Sequence, residues 1–274
     1  MATYPFSQLD VFSGTPLMGN PLAVVHQADS IPADQMPRFA NWTNLSETTF
    51  LLRPEAAEAD YSLRIFTPKR QLPFAGHPTL GSCQAWLLAG GQPKSETIMQ
   101  ECGVGLVPIR RDGTRLAFRA PPLMRSGPAE EEIHNLLPGA FGIDATAIEA
   151  VEWIDNGPGW CGVLLRDVET LRAAKPDYSL FPGHGFGLVA PAESGAGYDF
   201  ELRAFTMGYE DPVTGSLNAS VAQWLIGAGI APPDYIAAQG LELGRNGRVH
   251  ITSEGQEVWV GGEVTGCISG TLTL

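Results

Sequence analysis

The chain has 274 residues, and its 30 acidic side chains outnumber its 17 basic ones, giving a formal net charge of −13. This balance, without a Lys/Arg cluster, argues against a nucleic-acid or membrane-surface partner and favours a small-molecule partner. The N-terminus lacks a basic stretch followed by an apolar run, so we expect no signal peptide and a cytoplasmic location. The four cysteines form no CxxC pair and the five histidines lack ligand spacing, so we expect neither a disulfide framework nor a metal site.

The first part of the chain alternates short apolar runs with polar turns. Residues 22–25 predict a strand, and residues 31–40 predict a short helix. Two β-rich runs, 48–53 and 61–67, flank a polar stretch and predict a hairpin. The segment 71–93 then predicts a helix whose only potentially charged residue is histidine. A helix of about 12 to 14 residues that is uncharged on all sides is expected to be buried, and it is too short to span a membrane.

Strand-like runs follow this helix, and the second half repeats the plan. Residues 99–120 predict hairpins that close a sheet around the helix. Further on, 187–190 are expected to pair with 198–206, a second uncharged helix is expected within 212–233, and hairpins are expected within 241–264.

The two helix-bearing segments are copies of each other. Residues 63–90 recur at 202–229 with a constant offset of 139, and nine of the 28 pairs are identical, where background composition predicts roughly two. Such a repeat indicates that each half is one structural unit. We therefore predict two similar halves, 1–120 and 121–274, with the last strand a candidate for crossing back to the first half.

Both predicted helices begin in glycine-containing turns, Ala75 to His77 and Thr214 to Ser216. The first turn of a helix presents unpaired N–H groups and the positive end of the helix dipole, so it can hold an anion such as a carboxylate. The alternative is that glycine and proline merely start these helices. Duplication favours the anion site, because equivalent helices can direct their N-termini at one interface.

Three side chains near these turns are candidates for moving or positioning protons. Glu47 lies where a helix gives way to a strand, and His77 lies at the predicted N-cap. Asp211 precedes Pro212 and aligns with Leu72, so it breaks the symmetry of the repeat. Each also has an ordinary alternative, as a solvated glutamate, a structural histidine or a turn aspartate.

Four segments, taken together, carry a family resemblance. They are DVFSGTPLMGNPLAVV (10–25), NLSETTF (44–50), RIFTPKRQLPFAGHPTLG (64–81) and EDPVTGSLNAS (210–220). In this order they resemble the PhzF family, named for the phenazine biosynthesis isomerase, and the resemblance covers essentially the whole chain. It implies the diaminopimelate epimerase-like fold, an α/β (α+β) fold of two pseudo-symmetric halves, each with a curled β-sheet around a central buried helix. It also implies an active site in the cleft between the halves, no cofactor and a homodimer.

The resemblance implies roles for particular residues. Its acid/base carboxylate falls on Glu47, with His77 and Asp211 as further catalytic groups. The substrate is expected to contact five residues at the two helix starts, namely Ala75, Gly76, Thr214, Gly215 and Ser216.

The chain also departs from the family pattern. Many relatives have Glu or Asp at the position of Gln71, and many have GSAH where Leu217 and Asn218 give GSLN, so we expect these residues to alter the pocket. Ala75 and Thr214 stand where related epimerases keep catalytic cysteines, which excludes a two-thiol mechanism.

These observations favour one-base isomerisation of a small carboxylate-bearing metabolite, cyclic or unsaturated, with Glu47 as the base. Two alternatives stay open. The chain could be a non-catalytic metabolite-binding or dimeric interaction protein. It could also be an epimerase or racemase in which His184, near the counterpart of Glu47 in the second half, serves as a second base.

Overall fold

The computed structural model describes residues 1–274 and contains two compact units. One unit comprises residues 1–119 with 261–274, and the other comprises residues 120–260. No helix in either unit is both long and apolar enough to cross a membrane.

The first unit is a curled sheet with one buried helix. Its elements are β1 Thr3–Val11, β2 Asn20–Val25, α1 Gln35–Thr43, β3 Glu47–Leu52, β4 Tyr61–Phe66, β5 Gln71–Leu72, α2 Gly76–Leu88, β6 Ile98–Cys102, β7 Gly105–Asp112 and β8 Arg115–Arg119. β1 is antiparallel to β2, β2 is parallel to β3, and β3 and β4 form the predicted hairpin. β4 is parallel to β6, from which the antiparallel strands β7 and β8 follow. Because α2 packs against β1, β2, β3 and β8, the sheet wraps around this helix.

Two details of this unit differ from the sequence prediction. The helix α1 begins at Gln35 instead of residue 31, because Ile31 is extended (φ −74°, ψ 124°), as the ring of a following proline favours. The helix α2 is buried from Gly76 to Cys83, but Leu88 at its end is 66% exposed. Burial on every side is therefore correct for the first two turns of α2 and wrong for the last.

The second unit repeats the arrangement. Its elements are β9 Arg125–Pro128, α3 Glu131–Phe141, β10 Ile148–Asp155, β11 Trp160–Leu165, α4 Val168–Ala173, β12 Gly185–Pro191, β13 Phe200–Phe205, β14 Glu210–Asp211, α5 Gly215–Gly227, β15 Asp234–Gln239, β16 Gly247–Glu254 and β17 Glu257–Gly262. β11 is parallel to β12, β12 is antiparallel to β13, and β13 is parallel to β15. β11 and β13 are buried along their whole length, which requires cover on both faces of the sheet. The helices α4 and α5 pack against these strands and their neighbours.

The last strand, β18 Val264–Thr273, lies in the first unit and pairs antiparallel with β1.

The repeat detected in the sequence is also a repeat of structure. β4, β5 and α2 recur as β13, β14 and α5, and each element begins and ends 139 residues after its copy.

Candidate active site

Glu47 and His77 meet in the first unit. Glu47 is the first residue of β3, which begins soon after Asn44, the left-handed C-cap of α1 (φ 55°). His77 is the second residue of α2, whose N-cap is Ala75, so its predicted place at the N-cap is wrong. Because β3 and α2 begin at these positions, Glu47 Oε2 lies 3.3 Å from His77 Nε2. The side chain of Glu47 is 13% exposed and that of His77 is 4% exposed.

The imidazole of His77 is neutral at neutral pH. Burial lowers the pKa of His77 to about 3. Asn20 Nδ2 lies 3.4 Å from His77 Nδ1. The contact with Glu47 is therefore between a neutral imidazole and a carboxyl group, and is not an ion pair. No sequence pattern singles out Asn20, which is fully buried at the start of β2.

Asp211, Thr214 and Ser216 lie together in the second unit, and each is buried. Thr214 is the N-cap of α5, and its hydroxyl donates a hydrogen bond to Asp211 Oδ2. Neither Thr214 nor its counterpart Ala75 caps its helix through a side chain. The first-turn amides at Gly215 and Ser216, like those of α2, therefore have no side-chain cap.

Ser216 is held by two groups that the sequence analysis did not single out. Trp160 Nε1 donates to Ser216 Oγ at 3.1 Å, and Asn156 Nδ2 donates to the Ser216 carbonyl at 3.0 Å. Because the indole nitrogen is only a donor, the hydroxyl hydrogen of Ser216 points elsewhere and can be donated to an anion. Both partners flank the glycine-containing turn between β10 and β11, and that turn was the only signal in the sequence.

His184 is not the structural counterpart of Glu47. Thr48 pairs with Phe66 in the first unit, and Phe186 pairs with Phe205 in the second. Phe66 and Phe205 are repeat partners, so the position equivalent to Glu47 is Gly185. His184 lies one residue earlier, with its ring centroid 4.7 Å from those of Trp153 and Phe186. His184 therefore lies next to the equivalent position, as expected, but it precedes β12 and does not occupy that position.

The three residues that depart from the family pattern have defined positions in the structure. Gln71 Oε1 accepts a hydrogen bond from Arg64 at 2.8 Å, whereas the repeat counterparts Glu210 and Arg203 form an ion pair at 2.8 Å. Leu217 is fully buried, and a Cβ added to Gly187 of β12 would lie 2.2 Å from it. Asn218 is also fully buried, one turn into α5.

The cysteines lie away from both helix starts. Cys83 is inside α2 and Cys161 is inside β11, and burial raises the pKa of each thiol to about 12. No group of three or more His, Cys, Asp or Glu side chains is arranged to hold a metal ion.

Comparison with known proteins identifies relatives along the whole chain. The family model for phenazine biosynthesis-like proteins matches residues 9–270. The chain is 35% identical over 297 residues to antisense-enhancing sequence 1 of Schizosaccharomyces pombe, covering 98% of this chain and 99% of that protein. It is 35% identical over 258 residues to the trans-2,3-dihydro-3-hydroxyanthranilate isomerase of Pseudomonas aeruginosa, covering 90% and 89%.

Solved structures agree with the expected fold. A PhzF-family phenazine biosynthesis protein of Bacillus anthracis has a TM-score of 0.84 at 21% identity, over 100% of both chains. A hydroxyproline epimerase of Agrobacterium vitis has a TM-score of 0.61 at 14% identity, over 98% of this chain and 92% of the other. These likenesses confirm the epimerase-like α/β fold. Because the family model matches nearly its full length, the chain belongs to the phenazine biosynthesis-like family and is an isomerase of the PhzF type.

Proposed function

We propose that this enzyme isomerises a small cyclic or unsaturated carboxylate by a proton transfer in which Glu47 is the only base. The observation that carries the proposal is the 3.3 Å contact between Glu47 Oε2 and the neutral imidazole of His77. A neutral imidazole beside the carboxyl group does not add the full positive charge that would weaken Glu47 as a base.

In the proposed reaction, Glu47 removes a proton from a carbon next to an unsaturated or carbonyl system. The same carboxyl group then returns the proton to another carbon on the same face of the substrate. His77 and Asp211 bind polar groups of the substrate and stabilise the charge that develops. The Ser216 hydroxyl, with the first-turn amides of α5, supplies donors for the substrate's carboxylate.

We propose trans-2,3-dihydro-3-hydroxyanthranilate, or a close analogue, as the substrate. Support comes from the relative of Pseudomonas aeruginosa that is named for this compound and is 35% identical to this chain. The compound is cyclic, unsaturated and carboxylate-bearing, which are the three properties that the proposed mechanism requires.

The test is to incubate the wild-type protein with this compound in D₂O and follow the ring signals by NMR. We expect loss of the starting signals and incorporation of deuterium at a ring carbon, with slower turnover of the methyl ester, which lacks the anion. Turnover of a different cyclic carboxylate alone would contradict the substrate assignment. A protein that leaves this compound and a panel of cyclic and unsaturated carboxylates unchanged would contradict the proposed function.

A further inference from the structure

Gln239, at the end of β15, is fully buried and makes four hydrogen bonds through its side-chain amide. Its Nε2 donates to the Asp211 carbonyl and to Thr214 Oγ1, both at 3.0 Å. Its Oε1 accepts from the Thr214 amide at 3.0 Å and from Asn218 Nδ2 at 2.9 Å. Both donors and both acceptor positions of the amide are therefore used at the start of α5.

The first unit contains a second buried glutamine for comparison. Gln100 of β6 is as buried as Gln239, but it is not the structural equivalent of Gln239, because Gln100 pairs with Tyr61 whereas Phe200, the repeat partner of Tyr61, pairs with Ala237. Its Nε2 donates to Thr79 Oγ1, inside α2, and its Oε1 accepts from Tyr61 Oη, both at 3.1 Å. In the second copy the position of Tyr61 is occupied by Phe200, which has no hydroxyl group to donate.

The residues at the helix start also differ between the two copies of the repeat. Leu72 and Ala75 of the first copy correspond to Asp211 and Thr214 of the second. The start of α5 therefore has polar side chains that the start of α2 lacks, and Gln239 binds the residues that carry them.

A directed chain of hydrogen bonds results. Because Thr214 Oγ1 accepts from Gln239 Nε2, the single hydroxyl hydrogen of Thr214 is left for Asp211 Oδ2, to which it donates. Asp211 is therefore held at two points, because Gln239 binds its backbone carbonyl and Thr214 binds its side-chain oxygen Oδ2. Because every hydrogen-bonding position of the buried Gln239 amide is used, the groups bonded to it are held rigidly.

We propose that Gln239 is a positioning residue for the isomerisation, acting through Asp211 and Thr214 without touching the substrate. Its effect on rate rests on the proposed function, whereas its effect on the start of α5 does not.

The test compares Gln239→Met with Gln100→Met, the same substitution at an equally buried, hydrogen-bonded glutamine of the first unit. Methionine keeps the length of the side chain and removes the amide's hydrogen bonds. Hydrogen exchange of the peptide covering residues 210–219, read by mass spectrometry, is expected to accelerate about tenfold or more in Gln239→Met and not in Gln100→Met. With trans-2,3-dihydro-3-hydroxyanthranilate, kcat is expected to fall about tenfold or more in Gln239→Met and to change less than about threefold in Gln100→Met.

If Gln239→Met does not fold, a second variant, Gln239→Glu, still tests the proposal. A carboxyl group here still accepts hydrogen bonds, but it can donate one only when it is protonated. The ratio of its kcat to that of the wild type is therefore expected to rise as the pH falls, which a mere loss of packing would not produce.

Unchanged exchange at residues 210–219 in Gln239→Met would overturn the inference, as would equal acceleration in both methionine variants. Faster exchange with an unaltered kcat, or a Gln239→Glu ratio that is flat with pH, would also overturn it. If instead Glu47→Gln kept full activity, the proposed function would fail, while the exchange result would still decide whether Gln239 orders the start of α5.

Discussion

His77 and Ser216 occupy equivalent positions, the second residues of α2 and α5, yet they meet different partners. His77 is buried as a neutral imidazole against Glu47, whereas Ser216 accepts a hydrogen bond from an indole and keeps its own hydrogen for donation. The same place in the fold therefore presents a neutral imidazole beside the proposed base in one copy and a hydroxyl group that can bind an anion in the other.

The role of Ser216 can be tested with a neighbour on the same helix as the control. Ser216→Ala removes the hydroxyl donor, and because a hydrogen bond to a charged group contributes about 1.5–3 kcal/mol, KM is expected to rise about tenfold or more. Ser220→Ala, one turn further along α5, removes a buried hydroxyl whose oxygen has no hydrogen-bond partner, and KM should stay within about twofold of the wild type. Steady-state kinetics with the proposed substrate measure both. An unchanged KM in Ser216→Ala would show that this hydroxyl does not bind the carboxylate.

At the scale of elements, the fit of α2 against its sheet depends on a residue without a side chain. A Cβ added to Gly81 would lie 2.5 Å from Leu22 Cδ2 and 2.9 Å from Val11 Cγ2, so the helix packs directly on β1 and β2. Gly227, the last residue of α5, is exposed, and a Cβ added there would meet nothing within 4 Å.

The same substitution at these two glycines is expected to change stability in opposite directions. Gly81→Ala should lower the free energy of unfolding by about 1–3 kcal/mol, because overpacking outweighs the gain in helix propensity. Gly227→Ala should raise it by up to about 1 kcal/mol, since only the propensity gain applies. Urea unfolding at equilibrium measures both changes. Stabilisation by Gly81→Ala would mean that α2 is not packed this closely.

The elements differed in how far the sequence could predict them. α2 and α5 were identified from the absence of charge over a length typical of a buried helix, and the repeat fixed their correspondence. The predicted start of α1 is wrong because Pro32 favours an extended conformation in Ile31 before it, so the helix begins later. The last strand is a predicted candidate for crossing back to the first half, but no local pattern encodes its pairing with β1 at the opposite end of the chain.

The candidate site shows the same limit of sequence-based prediction. Motifs alone nominate Glu47, His77 and Asp211, but Asn156 and Trp160 contact Ser216 across 60 and 56 residues, which only the folded chain brings together. Gln239 gives no comparable signal, because the strand register aligns Gln100 with Ala237 and leaves Gln239 without a glutamine partner in the first copy.

At the scale of the whole molecule, the two copies share their helix starts, but only the first has a carboxyl group at the position of Glu47. Glu47 begins β3 in the first unit, and the equivalent position of β12 is Gly185, which has no side chain to transfer a proton. The helix N-caps are Ala75 and Thr214, and neither offers a thiol. This asymmetry favours a single-base isomerisation over proton exchange between two opposed bases.

The central claim is that Glu47 moves the proton, and deuterium incorporation in D₂O tests it most directly. Glu47→Gln keeps the size of the side chain and removes the base, so we expect incorporation from the proposed substrate to fall by at least about 100-fold, within the usual range for losing a general base. The thermal unfolding midpoint of the variant, measured in parallel, should stay close to that of the wild type. Glu47→Asp, which keeps a carboxylate on a shorter side chain, should retain more activity than Glu47→Gln. Incorporation by Glu47→Gln at the wild-type rate would contradict the account.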